Sequence, residues 1–114
     1  MTEQDVQRAV VAHLESYGAP GMVFICVNNN PRSAKDGARL KRMGLKAGAP
    51  DLLLWHNNHS FALELKTNKG RATKAQDDML AALNGAGVCT WVARGLDEAI
   101  KILSAWRVLK IREV

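Results

Sequence analysis

Three charged side chains, Asp51, Glu64 and Lys66, stand in an otherwise apolar part of the chain, GAPDLLLWHNNHSFALELKTNKG, Gly48 to Gly70. Side chains of an extended chain alternate faces, so Glu64 and Lys66 project to one side and Leu63 and Leu65 to the other. If the polar HNNHS closes a hairpin near Asn57 to His59, Asp51 at the start of one strand returns beside Glu64 and Lys66 at the end of the other. Two carboxylates and an ammonium converging at the end of a hydrophobic sheet cost desolvation free energy that apolar residues would not incur. An ion pair between Lys66 and one acid compensates a single carboxylate and leaves the second. A hard divalent cation accounts for both, because Mg²⁺ takes oxygen ligands and is typically held by one or two carboxylates, waters and a substrate phosphate. A lysine beside such a site orients or deprotonates water and stabilises charge on phosphorus. Phosphodiester chemistry fits these parts.

Two further residues belong with them. Glu3 is in phase with Val6 and Val10 in TEQDVQRAVV, which puts it at the inward edge of a first helix. There it is either a further metal ligand or a first-turn acid favoured by the helix dipole. Gln76 is in phase with Met79, Leu80 and Leu83 on a sheet-facing side, and it also stands three residues after Thr73, the spacing of a capping box.

The elements that must position these groups follow from periodicity and punctuation. TEQDVQRAVVAHLESYG predicts an amphipathic helix from the Thr2 cap to Gly18, and MVFICVNN a buried strand ended by Asn28 to Asn30. Asp51 to His56 and Ser60 to Thr67 form the hairpin. A helix runs from Thr73 to the Gly85 and Gly87 stop, VCTWVAR is a fourth strand, and LDEAIKILSAWRVL is a last amphipathic helix; KIREV is a short strand or a tail. The order is helix, strand, hairpin, helix, strand, helix. It implies an α/β fold whose mixed central sheet is flanked by helices on both faces.

Lys and Arg number 16 against 11 Asp and Glu, a net charge of +5. The excess lies in NNPRSAKDGARLKRMGLKAGA, read as a loop with one helical turn or more around Ala34 to Met43. It carries Arg32, Lys35, Arg39, Lys41, Arg42 and Lys46 against the single acid Asp36. Such a cluster is either a solvated surface or a phosphate-backbone contact. The 114 residues suit one domain over 1–114. No apolar run approaches the roughly 18 residues of a membrane span, and the start lacks the pattern of a signal peptide, so the cytoplasm is the expected address. Cys26 and Cys89 are isolated within apolar runs and read as reduced core residues.

Pro50-Asp51 followed by Glu64-Leu65-Lys66 resembles the PD-(D/E)XK nucleases, whose restriction-endonuclease-like core runs helix, three strands, helix, strand. KAGAPDLLL, ALELKTNKGRATKAQ with Gly70-Arg71 and Gln76, and a glutamate in the opening helix look like its VRR-NUC (virus-type replication-repair nuclease) branch. The likeness covers most of the chain, from Glu3 through the fourth strand, with no motif position substituted. It implies a Mg²⁺- or Mn²⁺-dependent DNA endonuclease. Asp51 and Glu64 would be metal ligands with the Leu65 carbonyl beside them, Lys66 the catalytic lysine, Glu3 an additional acid and Gln76 a helper near water or phosphate. Members of this length look like phage or prophage proteins of a bacterial host. They are similar to Holliday junction resolvases, homodimers acting on branched DNA in repair and replication. Lys69 and Arg71 join the basic segment as candidate phosphate contacts.

The HNNH around His56 and His59 lacks the further ligands of a zinc or HNH site. Trp55, Trp91 and Trp106 lie in apolar phase, and the basic segment holds no aromatic residue for base stacking. A non-catalytic branched-DNA-binding protein that keeps the nuclease fold and an RNA-directed nuclease are the competing classes.

Overall fold

The structure, a computed structural model, describes residues 1–27 and 33–111. Asn57 and Asn58 take φ of 49° and 65°, a left-handed pair that asparagine tolerates and that matches the twist of a two-residue hairpin turn. It joins β2 (Leu52–His56) to β3 (His59–Lys66), paired antiparallel from His56↔His59 to Leu52↔Leu63. β1 (Val23–Cys26) adds antiparallel to β2. β4 (Cys89–Arg94) adds parallel to β3, and the intervening crossover contains α3 (Lys74–Gly85). The mixed sheet has the order β1-β2-β3-β4.

α1 (Glu3–Tyr17) presents Val6, Val10 and Leu14, one residue per turn, to Leu52, Leu54, Phe61, Leu63 and Leu65. α4 (Gly95–Ala105) completes this core with Ala99 and Leu103. α3 covers the opposite face, where its Gln76 meets Glu64 and its Leu80 is buried. Both expected capping boxes form, Thr2 with Asp5 and Thr73 with Gln76. The start of the KIREV segment does pair: Lys110 N–H donates to the Tyr17 carbonyl, beside a bridge between Gly18 and Leu109.

The helical stretch expected around Ala34 to Met43 forms, and two expectations change. The basic segment contains a nine-residue helix, α2 (Ala34–Arg42), capped by Ser33, whose side chain accepts the Asp36 N–H. β1 and β4 are the sheet's edges, so their apolar runs are half covered rather than buried. Cys26 and Cys89 lie on those edges as exposed free thiols, not core residues. Trp55 and Trp91 are exposed too, while Trp106 packs on Phe61 with ring centroids 4.9 Å apart. By strand alternation Trp55 and Trp91 stand on opposite sheet faces, so they form no common stacking platform.

Gly48 places Asp51. Its φ is +79°, and a Cβ there would run into the backbone of Ala75 and Gln76, so the loop entering β2 rests directly on the first turn of α3. Gly48→Ala is expected to cost about 1–3 kcal/mol in urea unfolding, from the left-handed backbone and the collision together. An unchanged midpoint would show that the loop does not rest on α3.

Candidate active site

β2 begins at Leu52 opposite Leu63, so Glu64, Leu65 and Lys66 run on without a β2 partner. The Asp51 side chain takes the place of the missing rung: its Oδ2 accepts the Leu65 N–H at 2.7 Å. That bond pins Asp51 beside Glu64, as the hairpin reading requires. On the other side β3 pairs with β4, Glu64 against Val92 and Lys66 against Arg94. Glu64 and Lys66 are 1% and 5% exposed, a degree of burial that charged side chains reach only when paired.

Lys66 Nζ lies 3.8 Å from Glu64 Oε1 and 3.6 Å from Glu3 Oε1, ion-pair rather than hydrogen-bond distances. Glu3 thus reaches the cluster from the first turn of α1, with its own side chain half exposed. Gln76 turns out to hold both positions open to it in the sequence. Its Oε1 accepts the Thr73 N–H at 2.8 Å in the capping box, and its Nε2 donates to Glu64 Oε1 at 3.1 Å. A backbone N–H can only donate, so the cap fixes the amide with its NH₂ toward the carboxylate.

Glu64 Oε2 is buried with no hydrogen-bond partner. Burial pushes the Glu64 carboxyl up to about 8, helped by the Asp51 charge and by donation of the Glu64 proton to Asp51, and opposed by Lys66. Burial raises Asp51 as well, against the pull of the Leu65 N–H. A buried acceptor beside a second carboxylate calls for a proton or a cation. The hard oxygen donors suit a divalent cation such as Mg²⁺. Among the described residues no three His, Cys, Asp or Glu side chains are already grouped as for a metal ion. A cavity of about 630 Å³ opens onto the pair between α1, at Glu3, Gln7 and Arg8, and Asp51, Glu64 and Gln76.

Lys35, Arg39, Lys41 and Arg42 ride on α2, which buries none of its residues, and Lys46 follows it; Arg39 spends part of its charge on Asp36 at 2.9 Å. Arg32 lies outside the described residues. Lys69 and Arg71 occupy the loop between β3 and α3 and line a cavity with Arg94 and Asp77. Sequence reasoning missed Arg94, at the end of β4 beside Lys66, whose Nε donates to the Gly70 carbonyl at 3.2 Å. The signal was available, since a strand that follows a crossover helix runs parallel and ends beside its neighbour's end.

The VRR-NUC domain model matches residues 1–97, which hold every one of these side chains. The chain belongs to the VRR-NUC family. A solved structure titled "VRR_NUC domain protein" shares its fold at a TM-score of 0.74 and 26% identity, over 100% of this chain and 95% of that one. No curated protein matches the sequence. VRR-NUC domains are nuclease-fold domains, generally associated with DNA and typically metal dependent.

In this VRR-NUC chain the Glu64 carboxyl is protonated up to about pH 8 when folded, against an ordinary value of 4.5 when unfolded, so folding takes up a proton between those values. The stability of the metal-free protein is therefore expected to fall as pH rises from 4.5 through about 8. Saturating Mg²⁺ should raise Tm by on the order of 5 °C at high pH and by less at low pH, where protons compete. Glu64→Gln should remove both effects. Gln76→Glu, which keeps the capping acceptor but loses the donor, should move the fall to higher pH. A flat Tm profile indifferent to Mg²⁺ would refute the assignment.

Proposed function

We propose that this chain is a Mg²⁺- or Mn²⁺-dependent, structure-selective DNA endonuclease, one nuclease domain over 1–114 that hydrolyses phosphodiester bonds in branched double-stranded DNA such as Holliday junctions. The observation that carries this reading is the unpartnered, buried Glu64 Oε2 beside Asp51, with the Lys66 ammonium within 3.8 Å of the same carboxylate. Lys66 and Gln76 both engage the other oxygen, Oε1, and so leave Oε2 to a proton or a cation.

In this reading Asp51, Glu64 and the Leu65 carbonyl hold the cation. Leu65 N–H and C=O leave the strand on the same side, and the N–H already points to Asp51. When bound, the cation neutralises charge developing on the phosphoryl oxygens and acidifies water. Lys66 stands next to the attacking water, which adds to phosphorus in line with the departing sugar oxygen. Glu3 is the additional acid and pairs with the Lys66 ammonium from α1. Gln76 holds Glu64 by one oxygen and leaves the other toward the cation. Lys35, Arg39, Lys41, Arg42, Lys46 and, by sequence, Arg32 are the candidate phosphate contacts along the approaching duplex, whose reading is blind to base sequence.

A homodimer is the proposed working form, presenting two such sites to one junction. Its support is an uncovered apolar strip on the β1–β2 half of the sheet, with Val23, Ile25 and Trp55 at 55%, 47% and 41% exposure. A phage or prophage protein repairing or processing DNA in the cytoplasm of a bacterial host fits this activity. Among the described residues no helix is long and apolar enough to cross a membrane.

The test is a supercoiled plasmid with an extruded four-way junction, incubated with Mg²⁺, Mn²⁺ or EDTA, alongside an RNA junction of the same sequence. The expected products are linear plasmid from paired incisions, metal dependence, an intact RNA junction, and loss of at least 10²-fold in rate for Lys66→Ala. Tight junction binding without cutting in either metal would replace the endonuclease with a binding module. Preferential cutting of the RNA would redirect it to the other polymer.

A further inference from the structure

Lys66 lies between two differently charged regions. On the β2 side are the acids; on the β4 side lies a separate cavity of about 660 Å³ lined by Asn68, Lys69, Gly70, Arg71, Asp77 and Arg94. Three cations face one carboxylate there. The loop that carries two of them is ordered by three contacts. Gly70 N–H closes a turn onto the Thr67 carbonyl at 3.0 Å, Arg94 Nε holds the Gly70 carbonyl, and Asn68 packs against Gly95 so closely that a Cβ on Gly95 would meet it. Gly70 itself sits against the Lys66 Cβ. Arg94 is the lateral partner of Lys66 in the parallel ladder, so the two stems leave the same sheet face on strands about 4.8 Å apart. Its Nε is engaged with the loop, and the two Nη groups carry the remaining donors of the fork.

We propose that Lys69, Arg71 and Arg94 form a second anion subsite, which grips a backbone phosphate neighbouring the scissile one on the same DNA strand. The subsite rests on the nuclease reading for its ligand. It requires the strand to cross the end of the sheet from the acids, over Lys66, to the β4 edge. Arg94 supplies the fork, which suits two phosphate oxygens at once, and Lys69 and Arg71 close on the phosphate from the loop. Because the same loop continues directly from Lys66, a phosphate held there fixes the register in which its neighbour meets Lys66.

The test measures binding alone. A labelled four-way junction is titrated in EDTA across a salt series with the wild-type chain and with Arg71→Gln, Lys69→Gln, Arg94→Gln and a control, Lys101→Gln on α4. Glutamine at 94 retains a donor for the Gly70 carbonyl, and circular dichroism confirms that each variant folds. The slope of log K against log salt is expected to drop by about one for each subsite variant and to stay unchanged for Lys101→Gln. A single neutral methylphosphonate beside the scissile position should weaken wild-type binding and cost the Arg94→Gln chain no further affinity. Subsite slopes equal to the control, additive losses with the methylphosphonate, or no salt-dependent binding by the wild-type chain would each overturn the proposal. A changed slope in a chain that never cuts would keep the subsite and remove the endonuclease.

Discussion

Burial of Glu64 beside Asp51 places two carboxylates where water cannot hydrate the innermost oxygen, and much of the surrounding structure answers that cost. The Leu65 N–H takes one Asp51 oxygen and the Gln76 amide takes one Glu64 oxygen. Lys66 offsets charge at ion-pair distance. Each response is partial. The sum leaves a pair that binds a proton up to about pH 8, or a cation in its place.

Separate pieces of the chain deliver these groups. The hairpin turn at Asn57-Asn58 sets the register that puts Asp51 one step beyond Leu52↔Leu63, where β3 needs a hydrogen-bond acceptor. A one-residue slip would turn Glu64 and Lys66 into the Leu54 core and the leucines outward. Gly48 and the Thr73 cap anchor the β2 entrance and α3 to each other, and α1 carries Glu3 over the same corner. The stability of the caps and the geometry of the site thus share residues, Gln76 most directly.

Much of this was legible in the sequence because it is local. Alternation across ALELK fixed which side chains share a face, and the Asn-Asn turn returned Asp51 to the end of β3. Thr73-x-x-Gln76 announced its cap. Less legible was whatever depends on position in the sheet. An edge strand such as CTWVAR has the same apolar composition as a central one, so Cys26 and Cys89 read as core. α2 was legible in place, around Ala34 to Met43, but SAKDGARLKR buries no residue, so its length stayed open. Arg94 escaped notice because its place beside Lys66 comes from a parallel pairing 28 residues apart in the chain.

The most direct test is a crystal of the chain soaked in Mn²⁺ near pH 8 and measured for anomalous scattering. A single strong peak within about 2.0–2.6 Å of Glu64 Oε2 and an Asp51 oxygen is expected, the range of hard-cation ligation. No peak, with Glu64 donating a proton to Asp51 in the same crystal at that pH, would show that the buried pair is satisfied by the proton alone and was not built for a metal.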